Sequence, residues 1–223
     1  MKTKPENDGT NRVKHLMLKI YFKLRKLRFR GSKEFWRTNY LNGGTSGPGS
    51  YGELALFKAN FLNTFVRENE LTSVIEFGCG DGNQVSFFDF PNYIGLDISD
   101  VAVEMCKKQN KKNNFSFYHY DSINTIDSFN LDKCDLAISL DVIYHLVEQA
   151  VYIEHLHILF KLAKKFVIIY GRNSNEFFPE DYTFPREFTV DIAELFPNWT
   201  LINHVENPLE SWSDFYVFGN RSI

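Results

Sequence analysis

The stretch Val74-Ile75-Glu76-Phe77-Gly78-Cys79-Gly80-Asp81-Gly82-Asn83-Gln84 decides the fold of this chain. An apolar run that contains one acid leads into three alternate glycines and then into residues able to begin a helix. Alternate glycines permit a tight turn and let a ligand approach the backbone closely, because they carry no Cβ. The first N–H groups of a following helix would attract a carboxylate or a phosphate. The stretch therefore predicts a strand, a ligand-binding loop and a helix over 83–89.

The acids beside the glycines distinguish this loop from a nucleotide-binding loop. Glu76 and Asp81 suit a ligand that carries an ammonium as well as a carboxylate, and they would repel a pyrophosphate. The dinucleotide pattern G-x-G-x-x-G does not fit, because the glycines at 78, 80 and 82 are followed by Asn83 and then by Val85 and Ser86. The spacing argues against a nicotinamide-dependent oxidoreductase.

Size and composition indicate one globular α/β domain with a short extension. The chain has 223 residues, of which 43% are hydrophobic. No apolar run reaches the roughly 18 residues of a membrane-spanning helix, and the N-terminus lacks the apolar core of a signal peptide. Cys79, Cys106 and Cys134 have neither paired nor metal-ligand spacing, which suits a reducing compartment. We expect a cytoplasmic protein without a bound metal.

The first 30 residues are basic, whereas the remainder is acidic. Residues 1–30 hold ten Lys and Arg against two acids, a net charge of +8, and residues 31–223 carry −11. Apolar residues recur at helical spacing over 11–30, which predicts a basic amphipathic helix. Such a helix can contact an anionic membrane surface or an assembly complex, pack on its own domain or another copy, or bind nucleic acid. The acidity of the remaining chain makes nucleic acid an unfavourable partner.

Beyond the glycines, strand-like and helix-like runs alternate. Strands are predicted over 73–77, 93–97, 115–120, 135–140, 166–170, 201–205 and 215–218, and helices over 53–69, 100–108, 123–129, 147–161 and 186–195. This alternation predicts a doubly wound α/β sheet with helices on both faces. Ligands of such sheets bind at the carboxyl ends of the strands. Asp97, which ends the second strand, is placed to accept hydrogen bonds from both hydroxyls of a ribose.

The loop pattern E-x-G-C-G-x-G over 76–82 resembles motif I of the class I (Rossmann-like) S-adenosylmethionine-dependent methyltransferases. The resemblance covers about residues 51–223. It implies a seven-stranded Rossmann-like sheet whose last strand is antiparallel, here with an N-terminal helical extension. It also implies that S-adenosylmethionine is the cofactor.

The resemblance assigns the predicted cofactor site residue by residue. It implies that Glu76 and the backbones of Gly78 and Gly80 hold the methionine end, that Ile98 covers the adenine, and that Asp121 and Ser122 read the adenine edge. Cys79, Gln84 and Leu140 complete the predicted cofactor contacts, although Cys79 is equally explained as a small residue chosen for its size.

The glycine-rich segment before the first long helix predicts a mobile loop. In many of the methyltransferases that this chain resembles, a segment at this position folds over the bound cofactor. Glycine hinges beside aromatic residues suit such closure. We therefore divide the chain into a basic tail (1–30), a lid segment (31–52) and a methyltransferase domain (53–223). Gly44, Thr45, Ser46 and Tyr51 are the predicted lid residues, and a surface loop without a role is the alternative.

The run S-L-D-V-I-Y-H-L over 139–146 follows the fourth strand and resembles methyltransferases that act on small molecules and glycans. It lacks the proline signature of enzymes that methylate amino groups of DNA bases and proteins. Asp141 and His145, four residues apart, would share a helical face. His145 is the predicted general base, and Asp141 would orient it or contact the cofactor. In the alternative, Asp141 caps a helix and His145 is a buried, hydrogen-bonded histidine.

The predicted substrate contacts are Tyr144, Arg172, Arg186 and Phe188. The two arginines would grip a phosphate or carboxylate, or else lie on the surface. The loop, the lid segment and the 139–146 run together resemble methyltransferases of bacterial surface-polysaccharide gene clusters. That resemblance implies O-methylation of a small-molecule or glycan-precursor hydroxyl or phosphate-like oxygen, in the cytoplasm or at the inner membrane face. RNA methylation with the basic tail as anchor, and a non-catalytic cofactor-binding partner subunit, remain alternatives.

Overall fold

The structure, a computed structural model, describes residues 29–176 and 183–222. Its helices are α1 (Ser32–Leu41), α2 (Gly52–Glu68), α3 (Asp100–Gln109), α4 (Ile123–Ser128), α5 (Gln149–Leu162) and α6 (Phe188–Leu195). Its strands are β1 (Val74–Phe77), β2 (Tyr93–Asp97), β3 (Phe115–His119), β4 (Cys134–Leu140), β5 (Ala163–Gly171), β6 (Trp199–Val205) and β7 (Asp214–Asn220). Short 3-10 turns occupy Pro48–Ser50, Gln84–Phe87 and Ile143–His145. The helix predicted over 11–30 lies, apart from its last two residues, outside the described residues.

The strands form one sheet in the order β3-β2-β1-β4-β5-β7-β6. Strands β1 to β5 are parallel, and β7 pairs antiparallel with both β5 and β6. The predicted doubly wound seven-stranded sheet with an antiparallel last strand is therefore confirmed. The strands that follow β1 in sequence, β2 and β3, lie on one side of it, whereas β4 and β5 lie on the other. The carboxyl ends of β1 and β4 therefore border the crevice where ligands of such sheets bind. Among the described residues, no helix has the length and apolar character needed to cross a membrane.

Two hydrophobic cores cover the two faces of the sheet, because side chains alternate along each strand. In β5, Val167 and Ile169 point into one core while Ile168 and Tyr170 point into the other. Helix α5 packs on the first core and α2 on the second, through side chains spaced three or four residues apart: Tyr152, Leu156 and Leu159 in α5, and Ala59, Leu62 and Val66 in α2.

Two elements differ from the sequence predictions. The helix predicted over 83–89 is only the 3-10 turn Gln84–Phe87, since Phe88 is extended and buried against Phe90 at a ring separation of 4.5 Å. The lid segment contains the helix α1, which the sequence analysis did not predict. Only Ser32 and Tyr40 of α1 are buried, so its sequence lacks the apolar stripe that marks a packed helix.

Every residue of the central strand β4 is buried. We expect Leu136→Ala to lower the free energy of unfolding by about 2–5 kcal/mol, because Leu136 has no exposed surface and a cavity would remain. Urea denaturation followed by circular dichroism measures the change. The matched control is Leu201→Ala on β6, where the leucine is 42% exposed and a change within about 0.5 kcal/mol is expected. Equal losses at both positions would contradict the assigned burial.

Candidate active site

The loop after β1, residues 78–82 and here called the glycine loop, has backbone conformations that favour glycine at three positions. Gly78, Gly80 and Gly82 have φ angles of 91°, 59° and 85°, the left-handed region that glycine adopts without strain. A Cβ at Gly78 would overlap Val142, which follows β4, and a Cβ at Gly80 would overlap the Ser46 hydroxyl of the lid segment. The loop backbone is thus in close contact with both the neighbouring strand end and the lid segment.

Two buried carboxylates flank this loop. Glu76 is 2% exposed and accepts a hydrogen bond from the Tyr93 hydroxyl. Asp97 accepts hydrogen bonds from the Gly80 amide (2.9 Å) and the Ser99 amide (2.8 Å), while Ser99 itself caps α3. Burial raises the pKa of Glu76 to about 7 and that of Asp97 to about 6. Paired acids with raised pKa values are typical of functional sites.

A cavity, here called the loop cavity, opens between the glycine loop and the end of β4. It collects eight of the ten predicted cofactor residues: Glu76, Gly78, Cys79, Gly80, Gln84, Asp97, Ile98 and Leu140. Lys58, Tyr40, Trp36 and Tyr120 also line it, together with Asp141 and His145. Residues from six separate parts of the chain therefore surround one small space at the predicted crevice.

The polar atoms of the loop cavity suit a ligand that ends in an amino acid. The Gln84 amide nitrogen donates to the Ala55 carbonyl at 3.0 Å, whereas its buried Oε1 has no hydrogen-bond partner among the described residues. An unsatisfied buried acceptor is costly, so a donor from a ligand would relieve it. Gln84 Oε1 and the Glu76 carboxylate are both acceptors for an ammonium. These residues fit the amino-acid end of S-adenosylmethionine.

Asp121 and Ser122 lie outside the loop cavity. Asp121 is exposed, accepts a hydrogen bond from the Thr125 hydroxyl at 2.5 Å, and lies 3.8 Å from the Lys33 ammonium. Ser122 caps α4 by accepting a hydrogen bond from the Thr125 amide. Their neighbour Tyr120 is the residue of this strand end that lines the cavity. The adenine contacts predicted for Asp121 and Ser122 stay predictions, and the structure gives both residues local structural roles.

The lid segment is held against the glycine loop by Asp81. This carboxylate is 1% exposed and accepts hydrogen bonds from the Ser46 amide (2.8 Å) and the Tyr51 hydroxyl (2.9 Å). The Ser46 hydroxyl in turn accepts from the Asp81 amide and lies 3.0 Å from the Tyr40 hydroxyl. Hydrogen bonds to Asp81 therefore hold the lid segment against the glycine loop.

The other predicted lid residues contact α1. The Thr45 carbonyl accepts a hydrogen bond from the Asn39 amide nitrogen at 2.9 Å, and a Cβ on Gly44 would overlap the Asn39 side chain. Ser46 and Tyr51 thus contact the glycine loop, whereas Gly44 and Thr45 contact α1.

Asp141 follows β4 in a left-handed conformation, with φ of 57°, that costs free energy in a residue with a side chain. Its carboxylate accepts hydrogen bonds from the Lys58 ammonium (2.8 Å), the Ser213 hydroxyl (2.9 Å) and the Tyr144 hydroxyl (3.0 Å). Asp141 therefore joins α2, the 3-10 turn after β4 and the segment before β7.

The helix that would place Asp141 and His145 on one face does not form. The chain forms only the 3-10 turn Ile143–His145 here, and the Tyr144 hydroxyl donates a hydrogen bond to Asp141. The roles predicted for Asp141 and His145 stay predictions. The imidazole of His145 packs edge-on against the Trp36 indole at 5.0 Å between ring centroids. His145 nevertheless lines the loop cavity, as does Asp141.

A second cavity, here called the outer cavity, adjoins the loop cavity. The two share Trp36, Ser46, Asp141 and His145 as lining residues. The outer cavity is also lined by Tyr144 and Arg172, two of the predicted substrate contacts, and by the exposed rings of Phe184 and Trp212. The Arg172 guanidinium lies 5.3 Å from the centre of the Trp212 ring and 3.8 Å from the Glu176 carboxylate.

The other two predicted substrate contacts do not line the outer cavity. Arg186 is 7% exposed and its guanidinium lies over the rings of Tyr152 and Phe184, at 4.1 Å and 4.4 Å. Phe188 is fully buried against Tyr216 in the core. Arg186 packs against Phe184, and Phe188 lies in the core of the sheet. Both side chains therefore lie behind the residues that line the outer cavity and do not line it themselves.

Lys58 is the main residue that the sequence analysis missed. It lies on the buried side of α2 between Ala55, Ala59 and Leu62 and has no exposed surface. A lysine within the apolar stripe of an amphipathic helix is the signal that would have identified it, because lysine is almost never fully buried unless it is paired.

We expect Asp81→Ala to release the lid segment while the sheet stays folded, because three hydrogen bonds to the carboxylate would be lost: those of Ser46, Tyr51 and Asn83. The amide of Ser46 should exchange its hydrogen at least roughly tenfold faster, the equivalent of one such hydrogen bond. Hydrogen exchange followed by mass spectrometry measures this. Asp89→Ala, at an exposed aspartate beyond the same loop, is the control and should leave the exchange unchanged.

Comparison with solved structures shows the same fold in other methyltransferases. Magnesium protoporphyrin IX methyltransferase (ChlM) from Synechocystis PCC 6803 with bound SAM is 13% identical, with a TM-score of 0.61 over 85% of this chain and 97% of that one. N-methyltransferase NodS from Bradyrhizobium japonicum WM9 with S-adenosylhomocysteine is 14% identical, with a TM-score of 0.59 over 75% and 87%. The methyltransferase domain of bacterial CtHen1-C is 19% identical, with a TM-score of 0.57 over 73% and 96%.

At these identities the structural likeness shows the fold. None of the curated protein sequences matches this chain significantly. The profile of a methyltransferase-domain family matches residues 68–209, which contain the glycine loop, Asp97, Asp141 and His145. Since the match covers more than half of the chain, this protein belongs to the methyltransferase-domain family and is a class I, S-adenosylmethionine-dependent methyltransferase.

Proposed function

We propose that this protein transfers the methyl group of S-adenosylmethionine to an oxygen of a small-molecule or glycan-precursor acceptor. One observation carries the proposal: the loop cavity and the outer cavity meet at Trp36, Ser46, Asp141 and His145. A cofactor in the first cavity and an acceptor in the second would thus face each other beside a histidine. Holding two reactants in line in this way accounts for much of the rate of a displacement reaction.

The loop cavity has residues suited to each part of the cofactor. Glu76 and Gln84 would accept hydrogen bonds from the ammonium, and Gly78 and Gly80 would let the ligand approach the backbone. Asp97 would accept hydrogen bonds from the ribose hydroxyls, as carboxylates at this strand end do in related sheets. Ile98 would cover the adenine, and Leu140 and Cys79 are further apolar or small side chains of the cavity. When bound, S-adenosylmethionine supplies a methyl group on a positively charged sulfur.

His145 is the proposed general base. A hydroxyl acceptor must lose its proton as its oxygen is methylated, and a histidine titrates in the range that suits this task. The Asp141 carboxylate already accepts three hydrogen bonds, which hold it in place to orient the acceptor or the cofactor. The lid segment, which Asp81 holds over the glycine loop, would exclude water from the junction.

The outer cavity suits a ring that carries an anionic group. The exposed aromatic rings of Phe184 and Trp212 offer flat apolar walls, and Arg172 offers a guanidinium for a phosphate or carboxylate. A sugar phosphate or a uronate has both features. This chemistry supports a role in the assembly of surface polysaccharides, in which residues 11–30 would bring the enzyme to the inner membrane face or to an assembly complex.

The experiment that tests the function is an acceptor screen with the purified full-length protein. S-Adenosylmethionine is supplied with nucleotide sugars and phosphorylated glycan precursors, and mass spectrometry detects addition of one methyl group. Methylation of an anionic sugar, absent with the analogue that lacks the acceptor hydroxyl, supports the proposal. Methylation of an amine or a carbon centre instead would overturn O-methylation, and cofactor binding without turnover across the screen would favour a non-catalytic subunit.

We expect His145→Gln to lower kcat by roughly 10²–10⁴-fold, the usual contribution of a general base, with cofactor affinity changed less than about threefold. Glutamine keeps polar atoms at this position but cannot take up the proton. The rate is measured with the acceptor from the screen, and the affinity by calorimetry. The matched control is His157→Gln on the exposed side of α5, which should keep the wild-type kcat. A normal kcat for His145→Gln would exclude the histidine as base.

Cofactor binding should weaken as the pH falls below about 7. The pKa of Glu76 is about 7, and only its ionised form pairs with the ligand ammonium, so affinity is retained above this pH and lost below it. The dissociation constant of S-adenosylhomocysteine should rise about fivefold between pH 7 and pH 6, because about half of the Glu76 carboxyls are already protonated at pH 7, and more steeply below about 6, where Asp97 also gains a proton. Calorimetry at pH 7 to pH 5.5 measures it.

The control for this titration is Glu76→Gln. This variant should bind more weakly at pH 7, and its affinity should stay nearly level until the pKa of Asp97, about 6, is reached. A wild-type affinity that does not change between pH 7 and pH 6 would contradict the role of Glu76.

A further inference from the structure

Lys58 is a buried cation of the loop cavity that the family match does not include. It lies in α2, before the first residue of the matched segment 68–209. Its side chain is 1% exposed, its ammonium lies 2.8 Å from Asp141 Oδ2, and it lines the loop cavity but not the outer cavity. The ammonium also lies 5.1 Å from the centre of the Tyr170 ring.

Burying this ammonium is costly, and a structural role alone does not require it. Removing a charge from water costs several kcal/mol, and an ion pair in the interior often stabilises a protein no more than apolar side chains of the same volume. The positions around Lys58 on α2 are apolar, namely Ala55, Ala59 and Leu62. An ammonium donates three hydrogen bonds, and Asp141 accepts one of them. Among the described residues this ammonium has no other hydrogen-bond acceptor, so its remaining donors are available for a ligand in the cavity that Lys58 lines.

The amino-acid end of the cofactor brings both an ammonium and a carboxylate into the cavity. Glu76 and Gln84 Oε1 are acceptors and suit the ammonium. The sequence predicted that a helix over 83–89 would receive the carboxylate at its N-terminus. The 3-10 turn Gln84–Phe87 has only four residues, so few peptide dipoles are aligned there and its attraction for an anion is weak. The carboxylate therefore needs another positive partner.

We infer that Lys58 binds the carboxylate of the methionine moiety of S-adenosylmethionine. The inference rests on the cofactor assignment and adds a residue to that site. Lys58 can donate to Asp141 and to the ligand carboxylate at the same time. It thereby fixes the amino-acid end of the cofactor next to Asp141, at the junction of the two cavities. Lys58 is a cofactor-binding residue in this arrangement, and Asp141 is its counter-ion.

The test compares two ligands that differ only in the carboxylate: S-adenosylmethionine and its decarboxylated form, which keeps the ammonium and the sulfonium. Dissociation constants are measured by calorimetry with the full chain. The wild-type protein should bind S-adenosylmethionine at least roughly tenfold more tightly than the decarboxylated ligand, as expected for hydrogen bonds between charged groups. In Lys58→Met the dissociation constants of the two ligands should differ by less than about threefold, mainly because S-adenosylmethionine binds more weakly.

Three further variants separate loss of this contact from loss of the fold. Lys58→Met alone leaves the largely buried Asp141 carboxylate, 14% exposed, without its cation. The double variant Lys58→Met, Asp141→Asn removes both charges together and should show the same reduced ratio. Asp141→Asn alone keeps Lys58 and should keep the wild-type ratio. Lys165→Met, at a half-exposed lysine paired with Asp135 across the sheet, is the matched control and should also keep it.

The possible outcomes distinguish this inference from the cofactor assignment. A wild-type ratio in the folded double variant would overturn the role of Lys58, while the cofactor site would stand. Equal weakening of both ligands in Lys58→Met and in the double variant would assign Lys58 a purely structural role and overturn the inference as well. Failure of the wild-type protein to bind either ligand would overturn the cofactor assignment and the inference together.

Discussion

The close contact of the glycine loop with its two neighbours is the constraint on which the rest of the site depends. Gly78 lies against Val142 and Gly80 against Ser46, with no room for a Cβ at either position. The first contact joins the carboxyl ends of β1 and β4, and the second joins the lid segment to the loop. Asp97 strengthens the same arrangement by accepting a hydrogen bond from the Gly80 amide. A side chain at Gly78 or Gly80 would separate these elements and open the cavity that they surround.

Much of the fold could be predicted from the sequence because its signals are local. Strands β1, β2 and β4 are short and almost wholly buried, so their positions were predicted to within one residue. The order of glycines and acids at 76–82 depends on backbone geometry at one turn and was readable without tertiary information. The same holds for Asp97, since a strand end in a doubly wound sheet places its side chain at the crevice.

The parts that were missed depend on contacts between distant residues. Helix α1 is held by single polar contacts such as the Ser32 hydroxyl to Glu148, which leave no periodic pattern. The role of Asp81 requires the lid segment, some 35 positions away in sequence, to fold back on the loop. The predicted helix over 83–89 failed because burial of Phe88 and Phe90 outweighed local helix propensity. In each case tertiary packing decided the outcome.

The charges in and beside the loop cavity favour a ligand that carries an ammonium. Asp81 and Asp97 accept hydrogen bonds from backbone amides, and Asp141 is paired with Lys58. Glu76 is different, because a tyrosine hydroxyl is its hydrogen-bond donor and burial still raises its pKa to about 7. A ligand ammonium next to Glu76 would restore the charged state of the carboxylate, whereas a pyrophosphate would add negative charge to acids that burial already disfavours. Of the two acids that set this loop apart from a nucleotide-binding loop in the sequence, Glu76 thus lies where it would favour an ammonium, whereas Asp81 holds the lid segment.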